Sequence, residues 1–280
     1  AAAASARFGA PAVASVDALP PTIEAATIAA PTTLHGPLGM ALLDRGVHVL
    51  GETPIADALP VAEALTRRAQ ERGLVLQVGH VERFSTTFEA LRARVARPLF
   101  VECDRIAPFS GRGLDVDVLL DLMIHDLDLV AALVGAPIAS IDAVGAPVLS
   151  EREDIANARL RFEDGCVANI TASRISFKTE RRIRIFQPND YLVADLQERR
   201  ITRVVRRADS AGGGALEASV EAAPEGDSLA RQIAAFLDCV HTGAPPRVSG
   251  RDGAAALGAA LAIKRSLQEH RAAIARRLAG

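Results

Sequence analysis

Over the first eighty residues, short apolar runs alternate with longer stretches of helical spacing. Residues 24–30 (EAATIAA) read as a buried strand stopped by Pro31. Residues 33–45 read as a helix closed by Gly46, 47–50 as a second strand, 58–72 as a helix closed by Gly73, and 74–78 as a third strand. Strands and helices joined this briefly predict a parallel sheet with helical crossovers. Ligands of such sheets bind at the carboxyl ends of the strands. Those ends carry Pro31, Thr32 and His35, then Glu52, Thr53 and Pro54, then Gly79 and His80.

Beyond residue 80 the pattern changes. Residues 98–106 read as a strand and 116–134 as a long apolar helix ended by Gly135. Strand candidates follow at 140–146, 156–162, 166–173, 182–186 and 201–206, with turn residues at 163–165 and 188–190. Residues 208–224 are small and polar and read as a loop; 228–242 and 252–278 read as helices. The fold class is therefore α/β: a parallel sheet over 1–80, then an α+β domain with a mostly antiparallel sheet over 81–280.

Composition narrows the function. At 280 residues, 49% hydrophobic and 24% charged, the chain can bury a substantial core. A formal charge of -2 argues against a general nucleic-acid partner. No apolar run approaches the ~20 residues a membrane span needs, and the Ala-rich start lacks the features of a signal peptide. Cys103, Cys166 and Cys239 are far apart and form no CxxC, which fits a reducing cytoplasm and not a disulfide framework.

Several residues could carry chemistry. Asp117, Asp121, His125 and Asp128 recur at spacings of 4, 4 and 3 inside the apolar 116–134 segment. In an unbroken helix they share one face. A histidine beside carboxylates is a natural proton acceptor; the same stripe could be a solvated helix face, or Asp and His could bind a divalent ion. His35 could contact a ligand at the strand ends or cap its helix, and Glu52-Thr53-Pro54 could do likewise or form a plain β-to-α turn. Lys178, Arg182 and Arg184 could hold phosphates or simply face solvent, with Arg105 and Arg112 as further anion candidates. The chain contains no GxGxxG phosphate turn.

Residues 28–84 contain Pro31-Thr-Thr-Leu-His35, Gly46-Val-His-Val-Leu-Gly-Glu52-Thr53-Pro54 and Gly79-His-Val-Glu-Arg-Phe84. Residues 121–128 read DLMIHDLD and 236–250 read FLDCVHTGAPPRVSG. In these motifs the chain resembles the Gfo/Idh/MocA family of NAD(P)-dependent sugar oxidoreductases, whose patterns are P-x-x-x-H, G-K-H-V-x-x-E-K-P, G-x-x-x-R-F and D-x-x-x-H-x-x-D. The resemblance implies an incomplete Rossmann-type sheet over 1–80, lacking its first strands and Gly-rich turn, and a substrate and oligomerisation domain over 81–280. Within the family, the stretches around 105–121 and 154–186 are most similar to the branch that oxidises the 3-hydroxyl of UDP-N-acetylglucosamine.

The resemblance also implies roles. NAD or NADP would be bound by Pro31, Thr32, His35, Glu52, Thr53 and Pro54. His125 would be the base, oriented by Asp121, with Asp128, Arg105, Lys178, Arg182 and Arg184 on the UDP-sugar. No metal would take part. The ketone product would pass to an aminotransferase serving lipid A synthesis, and the protein would be a cytoplasmic homo-oligomer, a dimer or tetramer. Thr53 stands where the family carries the lysine that polarises the reacting hydroxyl. A threonine cannot act there as a cation, so the alternative implied is a non-catalytic nucleotide-sugar-binding or assembly paralogue.

Overall fold

The computed structural model describes residues 5–7, 9–109, 116–208 and 214–279. The chain forms two compact units, Ala1–Gly79 with Ala234–Ala254, and His80–Ile233 with Ala255–Gly280. The segment 234–254 thus belongs with the first unit.

The first unit is built on a three-stranded parallel sheet in the order β1 (Ala25–Ile28), β2 (His48–Gly51), β3 (Leu76–Val78). Ile28 lies beside Gly51, and Gly51 beside Val78, so the carboxyl ends of the strands are level. The crossovers are α1 (Thr32–Asp44) and α2 (Leu59–Glu71). Small residues let these helices meet closely: a Cβ at Gly36 would lie 2.5 Å from Val61 Cγ1, and one at Gly39 would lie 3.0 Å from Leu65 Cδ2. The 234–254 segment completes this unit. Phe236 and Cys239 of α5 (Ser228–Thr242) pack with Leu50 and Val75, and Val78 N–H donates to the Val248 carbonyl at 3.0 Å. The first turns of α6 (Gly250–Ala279) then press on β3, where a Cβ at Gly253 would meet Val78 Cγ2 at 2.7 Å and Val78 Cβ at 3.2 Å.

The second unit holds an eight-stranded sheet in the order β11-β10-β9-β8-β4-β7-β6-β5. Its strands are β4 (Phe100–Pro108), β5 (Ile138–Ala146), β6 (Ile155–Phe162), β7 (Val167–Ser176), β8 (Glu180–Gln187), β9 (Asp190–Asp195), β10 (Arg200–Ala208) and β11 (Gly214–Ala222). Every pairing is antiparallel except β4 with β7. The inner face buries Val101, Cys103, Ile170, Ile183 and Ile185 against Phe88 and Leu91 of α3 (Thr86–Arg92), Leu127 and Val130 of α4 (Ile124–Val134), and Ile263 and Leu267 of α6. Strand alternation sends Glu102, Asp104, Arg182 and Arg184 to the other face.

Three sequence expectations are corrected. The loop expected at 208–224 is instead largely β11, a partly solvated edge whose Leu216 and Val220 alternate with Glu217 and Glu221; its small residues hid the period of two. Residues 209–213, including Gly212 and Gly213, lie outside the described residues, as does Arg112. The turn at 188–190 leads directly into β9, with Asn189 at φ 79° supplying the left-handed residue of the hairpin. The helix expected over 116–134 is broken into a π-helical turn, Leu119–Met123, followed by α4.

Gly253→Ala should test the contact between α6 and β3. The helix gains about 1 kcal/mol of propensity, but overpacking against the branched Val78 costs about 1–3 kcal/mol. The expected result is a lower midpoint in urea denaturation, reversed by adding Val78→Ala.

Candidate active site

Each unit presents a cluster of polar groups. In the first, the level strand ends are tied together by His35 on α1. Its Nδ1 lies 2.7 Å from the Pro54 carbonyl and its Nε2 lies 2.8 Å from the Ala30 carbonyl. Carbonyl oxygens only accept, so whichever ring nitrogen carries a proton donates to one of them. Pro31 is the residue just before α1 and Thr32 its first, and the Thr53–Pro54 bond is cis. Glu52 lies over Gly79, where a Cβ would come within 2.6 Å of Glu52 Oε2 and 3.2 Å of its Cα. Burial raises the Glu52 carboxyl, opposed by the Thr53 N–H and by His35. Pro31, Thr32, His35, Glu52, Thr53 and Pro54 therefore collect at the carboxyl ends of β1 and β2. Gly79 leaves room for the Glu52 side chain, and parallel strand ends are where a dinucleotide binds. These residues stand where the fold would hold a dinucleotide.

In the second unit the cluster centres on Arg105, which β4 points inward. Its guanidinium is 4% exposed and grips two carboxylates. Nε and Nη2 donate to Asp126 at 2.9 and 2.8 Å, and Nη1 donates to Glu82 Oε1 at 3.0 Å while Nη2 reaches Glu82 Oε2. Arg181 of β8 donates to the same Glu82 at 3.1 Å. Glu82 comes from the short turn Val81–Phe84 after β3, and Asp126 from α4. Burial alone would push Glu82 up, but Arg105, His125 and Arg181 bring it down to about 2. Asp126 is raised by burial, with Arg105 opposing. Burial works against the Arg105 charge, yet Asp126 and Glu82 raise its affinity for the proton.

His125 stands beside this network. Burial first, then the positive charges of Arg105 and Arg181, lower it to about 4, although Glu82 pulls the other way. It is therefore a neutral imidazole at neutral pH. Its ring nitrogens make no hydrogen bond among the described residues, so they are available to a substrate. The ring of His80 meets it edge-on, with centroids 5.8 Å apart and planes at 82°. Behind His80, Asp128 is held by Arg83 Nη1 at 3.2 Å.

The structure separates several residues that sequence spacing had grouped. Asp117 precedes the π-turn, caps it through the Leu120 N–H at 3.1 Å and pairs with Lys264 at 2.6 Å. The wider π-turn breaks the 4, 4, 3 register that an unbroken α-helix would have kept. Asp121 lies within the π-turn, just before the start of α4, which carries His125. Asp128 shares Arg83 with the His80 side of the cluster.

Arg182 and Arg184 lie on the sheet face opposite Arg105 and Arg181, because odd and even residues of β8 point to opposite faces. Both are engaged there, Arg182 with Glu180 at 2.9 Å and Arg184 with Glu102 at 3.2 Å, and exposed Lys178 pairs with Glu180. These three do not join His125, whereas Arg105 does. Glu82, Arg83, Asp126 and Arg181 are the members sequence reasoning missed. The signal was present in Glu82 and Arg83 inside the Gly79–Phe84 motif, and in Asp126 beside His125. Among the described residues, no group of three or more His, Cys, Asp or Glu side chains is placed to hold a metal ion.

A parallel sheet with level strand ends and a unit with a buried, neutral histidine fit a dinucleotide-dependent oxidoreductase. Comparison with known proteins agrees. Residues 1–80 match the oxidoreductase family NAD-binding Rossmann fold, and residues 88–189 match the GFO/IDH/MocA C-terminal domain. The UDP-N-acetylglucosamine 3-dehydrogenase of Acidithiobacillus ferrooxidans is 37% identical over 253 residues, covering 89% of this chain and 80% of that protein. The solved structure of that organism's enzyme GnnA superposes with a TM-score of 0.89 at 34% identity, covering 96% of this chain and 86% of that one. Myo-inositol 2-dehydrogenase of Thermotoga maritima is 26% identical over 90% of this chain and 79% of its own. Levoglucosan dehydrogenase in complex with NADH and levoglucosan shares the fold, with a TM-score of 0.81 at 19% identity. The chain belongs to the Gfo/Idh/MocA family and is an NAD(P)-dependent oxidoreductase acting on a CH–OH group.

The lowered affinity of His125 for a proton links stability to pH. Its unfolded value lies near ~6.5, above the folded value of about 4. The unfolded chain therefore binds more protons between these values, and stability present above pH ~6.5 is lost as the pH falls towards ~4. His125→Gln should remove about 2 kcal/mol of the destabilisation seen between pH ~7 and ~5. Urea titrations at the two pH values check this, and equal pH dependence in both proteins would contradict it.

Proposed function

We propose that the protein oxidises the 3-hydroxyl of a UDP-N-acetylhexosamine to a ketone, with His125 taking the hydroxyl proton. The observation that carries the reading is the neutral, unbonded imidazole of His125 beside the Arg105–Glu82–Asp126 network. The sequence relationship to a UDP-N-acetylglucosamine 3-dehydrogenase supports the choice of substrate. Residues 1–80 would be the dinucleotide domain, and 81–280 the domain for substrate and self-association.

Oxidising an alcohol removes a hydride from carbon and a proton from oxygen, and the dinucleotide, when bound, accepts the hydride. The chain's own residues do the rest. Pro31, Thr32, His35, Glu52, Thr53 and Pro54 hold the nicotinamide side of NAD or NADP at the strand ends. His125 accepts the proton as a free base. Arg105 is fully occupied by two carboxylates, so its part is to keep His125 uncharged until the hydroxyl proton arrives. Arg181, half-exposed and bound to Glu82 on the same face, is better placed than Arg182 or Arg184 to meet an anionic substrate. A ketone beside an acetamido group suits a following amine transfer, which fits an aminotransferase partner and a place in lipid A synthesis.

Thr53 favours a second reading. A neutral side chain stands where the family pattern has lysine, so the protein could bind a nucleotide sugar without turning it over. The two readings separate in one experiment. UDP-N-acetylglucosamine with NAD should give NADH absorbance, His125→Asn should lower kcat by roughly 100-fold or more with sugar affinity unchanged, and Thr53→Lys should raise kcat. Sugar binding by calorimetry with no NADH from either wild type or Thr53→Lys would establish the binding protein instead.

The outer face of the eight-stranded sheet supports self-association. It presents Leu216 and Val220, 77% and 64% exposed, beside the paired charges of Arg182 and Arg184. Light scattering after gel filtration should give two or four times 29.4 kDa. A mass equal to one chain would refute it.

A further inference from the structure

His80 is a buried side chain of the second unit's cluster that the proposed reaction leaves without a task. It is 2% exposed, and neither ring nitrogen has a hydrogen-bond partner among the described residues. Other histidines of this chain have partners: both ring nitrogens of His35 lie against backbone carbonyls, and His241 Nδ1 lies 2.7 Å from the Leu237 carbonyl. A neutral imidazole always carries one N–H, and leaving it unmade in a dry site is unfavourable. An apolar ring would fill the same space without that penalty. A buried polar group left unsatisfied calls for an explanation, and a catalytic role is one of them.

Two neighbours indicate the function. Asp128 Oδ2 lies 3.9 Å from His80 Nδ1, longer than a hydrogen bond but within reach of a small rotation. The ring of His125 meets that of His80 edge-to-face at 5.8 Å. The charged and titratable groups facing His80 are Glu82 and Arg83 from the turn after β3, Arg105 from β4, and His125 and Asp128 from α4. Arg83 is committed to Asp128, and Arg105 to Glu82 and Asp126. The positive groups around His125 oppose its taking a proton, and no bond fixes the plane of its ring. His80 stands where it can correct both. Contacts of this kind are often long before substrate arrives and tighten in the reacting complex.

We infer that His80 is a positioning residue: wedged between the Asp128 carboxylate and the ring of His125, it orients His125 and steadies the positive charge that ring gains from the substrate proton. The proton on His80 sits on Nδ1, facing Asp128. This rests on the reading of His125 as the proton acceptor.

His80→Phe keeps the ring and removes both nitrogens, and His80→Gln restores a donor. His80→Phe should be as stable as wild type or more so. Its kcat for UDP-N-acetylglucosamine with NAD should fall roughly 100-fold with both KM values unchanged, and His80→Gln should recover part of the loss. Independently of turnover, ring 15N shifts at neutral pH should show one tautomer of His125 in wild type and a mixture in His80→Phe. Unchanged kcat, or a loss of kcat that accompanies lower stability with the His125 tautomer unaltered, would overturn the inference. If wild type itself gives no NADH, the enzymatic reading fails, and the ring-nitrogen spectra still decide whether His80 orients His125.

Discussion

The cluster of the second unit depends on one of its buried cations. Arg105 enters from the middle of β4 and is held by Asp126 of α4 and by Glu82 of the turn after β3. A buried guanidinium is tolerated only because two carboxylates meet its fork, and each carboxylate stays buried only because of that guanidinium. The pairing therefore clamps three separated stretches of chain together. Removing one partner strands the others in a dry environment, so the geometry tolerates little drift. His125 sits next to Asp126 and inherits that rigidity.

The same network sets the chemistry. Positive charge from Arg105 and Arg181, added to burial, keeps His125 free of its proton. A base must be empty to be useful, and under the proposed function burial and this clamp together keep His125 empty. The first unit works by other means. Its strand ends are organised by a histidine bridging two backbone carbonyls and by a glycine that admits the Glu52 side chain. One unit thus uses backbone geometry and close packing at its strand ends, while the other sets His125 beside a buried ion network.

The π-turn at Leu119–Met123 shows why helical spacing alone misled. Its apolar residues read as one helix with a stripe of Asp117, Asp121, His125 and Asp128. Widening the turn leaves Asp117 in a capping role, paired with Lys264, and His125 in α4's first turn, where Asp126 meets Arg105. π-turns of this type gather at functional sites. Strand alternation worked in the opposite direction. It placed Arg182 and Arg184 together, as the sequence indicated, but on the face away from His125, and brought Arg181 to the inner side instead.

Much was legible from the chain alone. Hydrophobic runs ended by Gly46, Gly73 and Gly135 marked the helices, and the parallel β1–β3 layer followed from the alternation of short strands and crossovers. The residues at the strand ends, Pro31, His35, Glu52 and Pro54, were identifiable because topology fixes where such ends lie. His125 stood out as an imidazole in an apolar segment. The sequence could not state which carboxylates and arginines would meet. Glu82, Arg105, Asp126 and Arg181 are distant in sequence, and their types would serve equally well on a solvated surface. Only packing decided which charges were buried together, because an ion pair is specified by three-dimensional register and not by composition or local period.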